Sequence, residues 1–225
     1  MPPDIRVLDD PASVAAERLA AVSGNVVITG GSTPRRAYEL VAKQRGRWDD
    51  VELWFSDERC VPADHEHSNY AMASKALGRT EGIRRMEGEL GPARGATTYE
   101  EQLRVHFGEG PPRFDLMLLG LGPDAHICSL FPGDDALGER ERWVVGVDSP
   151  GMAPLVARIT LTLPVVNAAR ELIFLVTGEE KADAVARCLS GRPDLGAPGS
   201  LVQPEGEVTW LLDPGAAARV EGRAR

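Results

Sequence analysis

The sequence predicts an α/β fold of three layers, helices over a mostly parallel central sheet. Two observations carry this expectation. Apolar, β-branched runs alternate with helical patterns almost from end to end, and several of those runs are apolar on both faces. A strand apolar on both faces belongs inside a parallel sheet that helices cover. The length of 225 residues suits a single domain spanning 1–225.

The elements follow in order. Pro11 to Val22 reads as an amphipathic helix, with Asp10 as N-cap and Pro11 at the first helical position. Asn25 to Thr29 is a short apolar strand that runs into two glycines, and a helix from about Pro34 to Lys43 follows. Val51 to Ser56 is the next strand, and Ser68 caps a helix to about Leu77. Thr97 to Glu101 offers a capping box before a helix through Phe107. Phe114 to Leu119 is a third buried strand. Trp143 to Val147, Ile159 to Leu163 and Leu172 to Thr177 are further strands, and Glu179 to Leu189 is a helix. The stretch Gly191 to Gly199 reads as a surface loop. Val208 to Leu212 is the last strand, and Asp213 caps a terminal helix.

Composition excludes several classes. The formal charge is -9, from 25 Lys plus Arg against 34 Asp plus Glu, which argues against a nucleic-acid-binding surface. No apolar run approaches the roughly 20 residues of a membrane span. The first residues, MPPDIRVLDD, lack the pattern of a secretory signal, so a cytoplasmic protein is expected. Cys60, Cys128 and Cys188 are too few for a disulfide framework.

In open α/β sheets, ligands gather at the carboxyl ends of the strands. Three polar clusters fall there. Gly30-Gly31-Ser32-Thr33-Pro34 enters a helix after a two-glycine turn, so free N–H groups and the positive end of the helix dipole face any anion. Ser56-Asp57-Glu58-Arg59 supplies a guanidinium that can fork onto a phosphate and a carboxylate that can orient a hydroxyl or act as a base. A salt-bridged loop is the plainer reading. Cys60, His65 and His67 lack the spacing of a zinc site, so no metal is expected. His126, on the glycine-rich loop Gly120 to His126, is placed for general base work near neutral pH, or is simply structural. Cys128 or Ser129 as a nucleophile sits awkwardly close to His126 in sequence, and Cys128 reads better as a small buried filler.

Taken together, VVITGGSTP, WFSDERCVPADHEHSNY, RRMEGE, FDLMLLGLGPDAHICSLFPG, RITLTLPVVNAARELIFLVTGEEKADAV and VTWLLD resemble the 6-phosphogluconolactonase family in order and over most of the chain. The resemblance implies a Rossmann-like fold shared with glucosamine-6-phosphate deaminase. It also implies hydrolysis of 6-phospho-D-glucono-1,5-lactone to 6-phosphogluconate, without a cofactor, in the oxidative pentose phosphate pathway. Gly31, Ser32 and Thr33 would receive the phosphate, Arg59 and Lys181 would pair with it, and Arg158 is a further candidate. His126 would be the general base, and Asp57 would line the sugar end. The partner is then a small phosphorylated sugar lactone, and the protein a monomer or small homo-oligomer. An amino-sugar-phosphate deaminase and a non-catalytic sugar-phosphate sensor are the competing readings. One departure stands out: Ala125 replaces the family's usual Gly, and Ile127-Cys128 its Thr-Ala. A Cβ at position 125 is harmless at negative φ and strained at positive φ.

Overall fold

The computed structural model describes residues 2–220. Seven strands form a parallel sheet in the order β1-β10-β9-β6-β2-β3-β5. In chain order these are β1 (Asp4–Val7), β2 (Gly24–Ile28), β3 (Val51–Phe55), β5 (Ile83–Arg84), β6 (Leu116–Leu119), β9 (Glu171–Val176) and β10 (Glu207–Leu212). A second sheet of three antiparallel strands joins β4 (Asp57–Arg59), β8 (Arg158–Leu161) and β7 (Val144–Val147). The helices are α1 (Pro11–Ala21), α2 (Ser32–Gln44), α3 (Asn69–Leu77), α4 (Pro92–Phe107), α5 (Leu163–Asn167) and α6 (Ala182–Cys188).

The expected α/β architecture is present, and β6 is buried at every position as the apolar run required. The strand order reverses between β2 and β6. The chain leaves β2 for β3 on one side, and leaves β6 for β9 and β10 on the other. The crevice beyond the carboxyl ends of two such strands is where open α/β sheets hold ligands. The Gly30 turn and the His126 loop both start there.

Two buried tyrosines pin the carboxyl ends of β2 and β3. The Tyr38 hydroxyl on α2 accepts from the Thr29 N–H at 2.9 Å and donates to the Thr29 carbonyl at 2.8 Å. The Tyr99 hydroxyl on α4 accepts from the Phe55 N–H at 2.8 Å. Each satisfies backbone groups where sheet pairing stops and water is excluded.

Several expectations need correction. β1, an edge strand beside β10, carries only four residues and too little alternation to stand out. The Asp57-Glu58-Arg59 segment is a strand of the second sheet, where charged residues disguised it. α4 starts at Pro92 after Gly91 at φ 78, so Thr97 lies inside the helix and its hydroxyl bonds back to the Ala93 carbonyl. Asp10 makes no side-chain cap; its carboxylate pairs with Arg36 instead. Ser68 does cap α3, accepting from the Ala71 N–H. Glu58 joins it by accepting from the N–H groups of Asn69 and Tyr70. Asp213 accepts from Gly178 and Ala216, but turns rather than a helix follow it. The 191–199 stretch is not wholly surface: Ala197 is buried, and the Gly199 N–H bonds the Ala125 carbonyl at 2.9 Å.

Replacing Tyr38 by Phe leaves the Thr29 N–H buried without a partner, at a cost of about 1–3 kcal/mol. For a chain of this size that is a fall in Tm of roughly 2–10 °C in a thermal melt. An unchanged Tm would mean that the hydroxyl is not what pins β2.

Candidate active site

A cavity of about 240 Å³ lies in the crevice beyond β2 and β6, and its wall includes Gly30, Gly31, Asp57, Arg59, His126, Arg158 and Lys181. Six of the eight residues singled out from sequence therefore meet at one place: Gly31, Asp57, Arg59, His126, Arg158 and Lys181. Ser32 and Thr33 do not line it. They open α2 just behind, and the Thr33 hydroxyl is 2.6 Å from that of Thr177. Gly31, the N-cap, has φ 118, which a side chain would strain. Gly30 is needed for a different reason: a Cβ there would sit 2.0 Å from Asn69 Oδ1.

The cationic wall is built from three elements. Arg59 and Arg158 face each other as register partners of β4 and β8. Arg59 donates to the His67 carbonyl at 2.7 Å, and its Nε has no partner among the described residues. Arg158, only 4% exposed, donates to the carbonyls of Val156 and Pro154. Lys181 arrives from the turn that precedes α6. None of the three forms an ion pair among the described residues. Burial pushes the Arg158 guanidinium below its ordinary value, and the neighbouring charge of Arg59 pushes the same way. Burial also pushes the Lys181 ammonium down, against the smaller opposing pull of Glu180 and Asp124. Cations that are buried together without carboxylates destabilise one another, and an anion between them removes that penalty.

The histidine loop is held from three sides. Asp124 Oδ1 lies 2.6 Å from His126 Nδ1 and also accepts the His126 backbone N–H at 3.2 Å. A carboxylate on Nδ1 selects the tautomer that leaves Nε2 free to accept a proton. The Phe131 ring packs on the imidazole with centroids 4.6 Å apart. Gly122 leaves room for the ring, since a Cβ there would fall 2.0 Å from Nδ1. Ala125 has φ 67 and Cys128 φ 51, so the substitution at position 125 does sit in the left-handed region. Each costs about 1–2 kcal/mol of backbone strain, offset here by the bonds of Ala125 to Gly122 and Gly199.

Asp57 is 5% exposed and accepts from Ser129 Oγ at 2.7 Å and Ser56 Oγ at 3.1 Å. Asn69 Nδ2 donates to the Asp57 carbonyl at 2.9 Å and itself lines the cavity. The Cys128 thiol is pushed well up by burial and by the Asp57 charge, so it stays protonated and a poor nucleophile. Asp124 and Asn69 were not singled out from sequence. The Asp-x-His spacing, an aspartate folding back on the backbone two residues on, is the signal that could have found Asp124. The His65 and His67 rings lie 5.1 Å apart, tilted by 54°, outside the cavity lining, and no cluster of three potential metal ligands occurs among the described residues. No helix among those residues is long and apolar enough to cross a membrane.

Burial pushes the Asp124 carboxyl up, but the hydrogen bond and charge of His126 outweigh it and leave it below the ordinary value. Its contribution to stability is therefore present above the unfolded value of about 3.9 and lost as pH falls through the lower folded one. The urea midpoint of Asp124→Asn should trail that of the unsubstituted chain by more at about pH 5.5 than at about pH 2.5. An equal gap at both would contradict the pairing.

A model of the family described as "Glucosamine-6-phosphate isomerases/6-phosphogluconolactonase" matches residues 7–210. The 6-phosphogluconolactonase of Nostoc sp. is 39% identical over 205 residues, covering 87% of this chain and 84% of the relative. The human 6-phosphogluconolactonase is 44% identical over 179 residues, 76% of this chain and 67% of the relative. Among solved structures, the 6-phosphogluconolactonase from Trypanosoma cruzi superposes with a TM-score of 0.88 at 29% identity, covering 98% of both chains. A monomeric glucosamine-6-phosphate deaminase shares the fold, with a TM-score of 0.81 at 18% identity and coverage of 97% of this chain and 100% of the other. The chain belongs to the glucosamine-6-phosphate isomerase/6-phosphogluconolactonase family.

Proposed function

We propose that the chain hydrolyses 6-phospho-D-glucono-1,5-lactone to 6-phosphogluconate, with His126 as general base. One observation carries the reading: an oriented imidazole shares one cavity with Arg59, Arg158 and Lys181, three cations without ion pairs among the described residues. The names of the curated relatives point to the same reaction.

The phosphate sits among Arg59, Arg158 and Lys181, with the N–H groups at the start of α2 behind Gly31 adding the positive end of a helix dipole. That contact anchors the end of the substrate remote from the reacting carbon. Ser32 and Thr33, which are not part of the cavity wall, contribute through the helix start. His126 Nε2 takes a proton from water as the water oxygen bonds to C1, giving a tetrahedral oxyanion. The imidazolium so formed is stabilised by Asp124 across the 2.6 Å contact. When the C1 bond to the ring oxygen breaks, His126 returns its proton to that oxygen and the product carboxylic acid ionises. Asp57 accepts a hydrogen bond from a ring hydroxyl and so fixes the face that the lactone presents to the water.

A covalent route fits less well. Cys128 is protonated and buried, and Ser129 already gives its hydroxyl proton to Asp57. A δ-lactone is an activated ester, so a general base worth about 10²–10⁴-fold, with positioning through the phosphate, is the right scale.

Lactone opening followed in a pH-stat, with the spontaneous rate subtracted, tests the reading. His126→Ala should lower kcat by about 10²–10⁴-fold while 6-phosphogluconate still competes for the site. Gly122→Ala, which thrusts a methyl into the imidazole, should approach the same loss. Unchanged turnover in His126→Ala, or ammonia release from glucosamine 6-phosphate in place of lactone opening, would overturn the proposal.

A further inference from the structure

Ser129 is fully buried and lies outside the cavity wall, yet it makes the shortest hydrogen bond to a carboxylate that faces into the cavity. Its position begins with a turn. The Leu130 N–H bonds the Ile127 carbonyl at 2.8 Å, placing Cys128 and Ser129 at the centre, and Cys128 takes φ 51 to make the reversal. A residue other than glycine in that conformation is held there by its surroundings. Ser129 then turns toward the second sheet.

There Ser129 grips two residues at once. Its hydroxyl donates to Asp57 Oδ2 at 2.7 Å, and its backbone N–H donates to Thr160 Oγ1 at 3.1 Å. Asp57 and Thr160 are register partners across β4 and β8. The histidine loop is thereby fastened to a cross-strand pair of a different sheet, three residues beyond His126. Ser56 and Asn69 approach the other oxygen, Oδ1, at 3.1 and 3.4 Å. Asp57 has no ion pair among the described residues, so hydroxyl and amide donors alone orient it. Of these, Ser129 is the closest and the only one carried by the histidine loop.

We propose that Ser129 is a positioning residue, which sets the direction of the Asp57 carboxylate in the cavity and locks the spacing between Asp57 and His126. This deepens the lactonase reading and rests on it, because it needs Asp57 to meet the substrate. Ser129 itself touches no reacting atom, and its proton is committed to Asp57. Its removal leaves Arg59, Arg158 and Lys181 in place, so the anchoring of the phosphate is unaffected. The carboxylate, freed on one side, then spends less time in the orientation that holds the lactone for attack. Misplacement of this kind reaches kcat more than KM.

The test is steady-state hydrolysis of the phospho-lactone by Ser129→Ala, Asp57→Asn and the double variant, with folding of each checked by a thermal melt. Ser129→Ala should lower kcat about tenfold, with KM within about twofold. In the Asp57→Asn background the same substitution should change kcat by less than about twofold, because the two residues act as one unit. Thr160→Val removes the acceptor for the Ser129 N–H together with the Thr160 hydroxyl's own bond to the Leu161 carbonyl, and should lower kcat about two- to fivefold with the same dependence on Asp57; it carries the test if Ser129→Ala fails to fold. An impaired Asp57→Asn beside a silent Ser129→Ala, or beside a silent Thr160→Val when Ser129→Ala does not fold, overturns this assignment alone. So does a tenfold loss that persists in the Asp57→Asn background. A silent Asp57→Asn overturns both this assignment and the place of Asp57 in the reaction.

Discussion

Two residues with side chains, Ala125 and Cys128, are held in the left-handed backbone region on either side of His126, and the site depends on that constraint. The first reversal lets the Ala125 carbonyl accept the Gly199 N–H while the Asp124 carboxylate folds back onto Nδ1 of the imidazole. The second turns Ser129 toward Asp57. Gly122 completes the arrangement, because any side chain there would occupy the space of the ring. The loop is therefore rigid for a reason that can be stated atom by atom, and rigid supports are what precise catalytic geometry requires.

Charge is distributed to suit. The chain as a whole is acidic, at -9, yet the cavity gathers Arg59, Arg158 and Lys181 without ion-pair partners among the described residues. Asp57 and Asp124, which share the region, are engaged by hydroxyls and by the imidazole respectively. Negative charge is thus used to orient groups, and positive charge is left for an incoming anion. In the proposed reaction a phosphate ties down one end of the substrate, and water attacks at the other.

Much of this was legible in the residues. Apolar runs such as FDLMLL announced strands buried on both faces, and glycines placed their carboxyl ends on loops. Six of the eight residues picked out from sequence line one cavity. What stayed hidden has physical causes. Asp57-Glu58-Arg59 reads as a loop because its pairing with β8 is long-range and its residues are charged. Thr97 to Glu101 resembles a helix start, but Gly91 and Pro92 supply a stronger one upstream. Asn69 looks like an ordinary polar residue, and Ser129 like an awkwardly placed nucleophile, until the fold presses them against Asp57. The sign of φ at Ala125 is set by contacts with Gly122 and Gly199 that no local pattern contains.

The division of labour between anchor and base is the central claim, and a crystal structure with bound 6-phosphogluconate tests it most directly. The phosphate should lie between Arg59, Arg158 and Lys181 against the Gly30–Gly31 turn, with the carboxylate end within hydrogen-bonding reach of His126 Nε2, about 2.6–3.2 Å. A phosphate found against His126, with the carboxylate among the arginines, would contradict it.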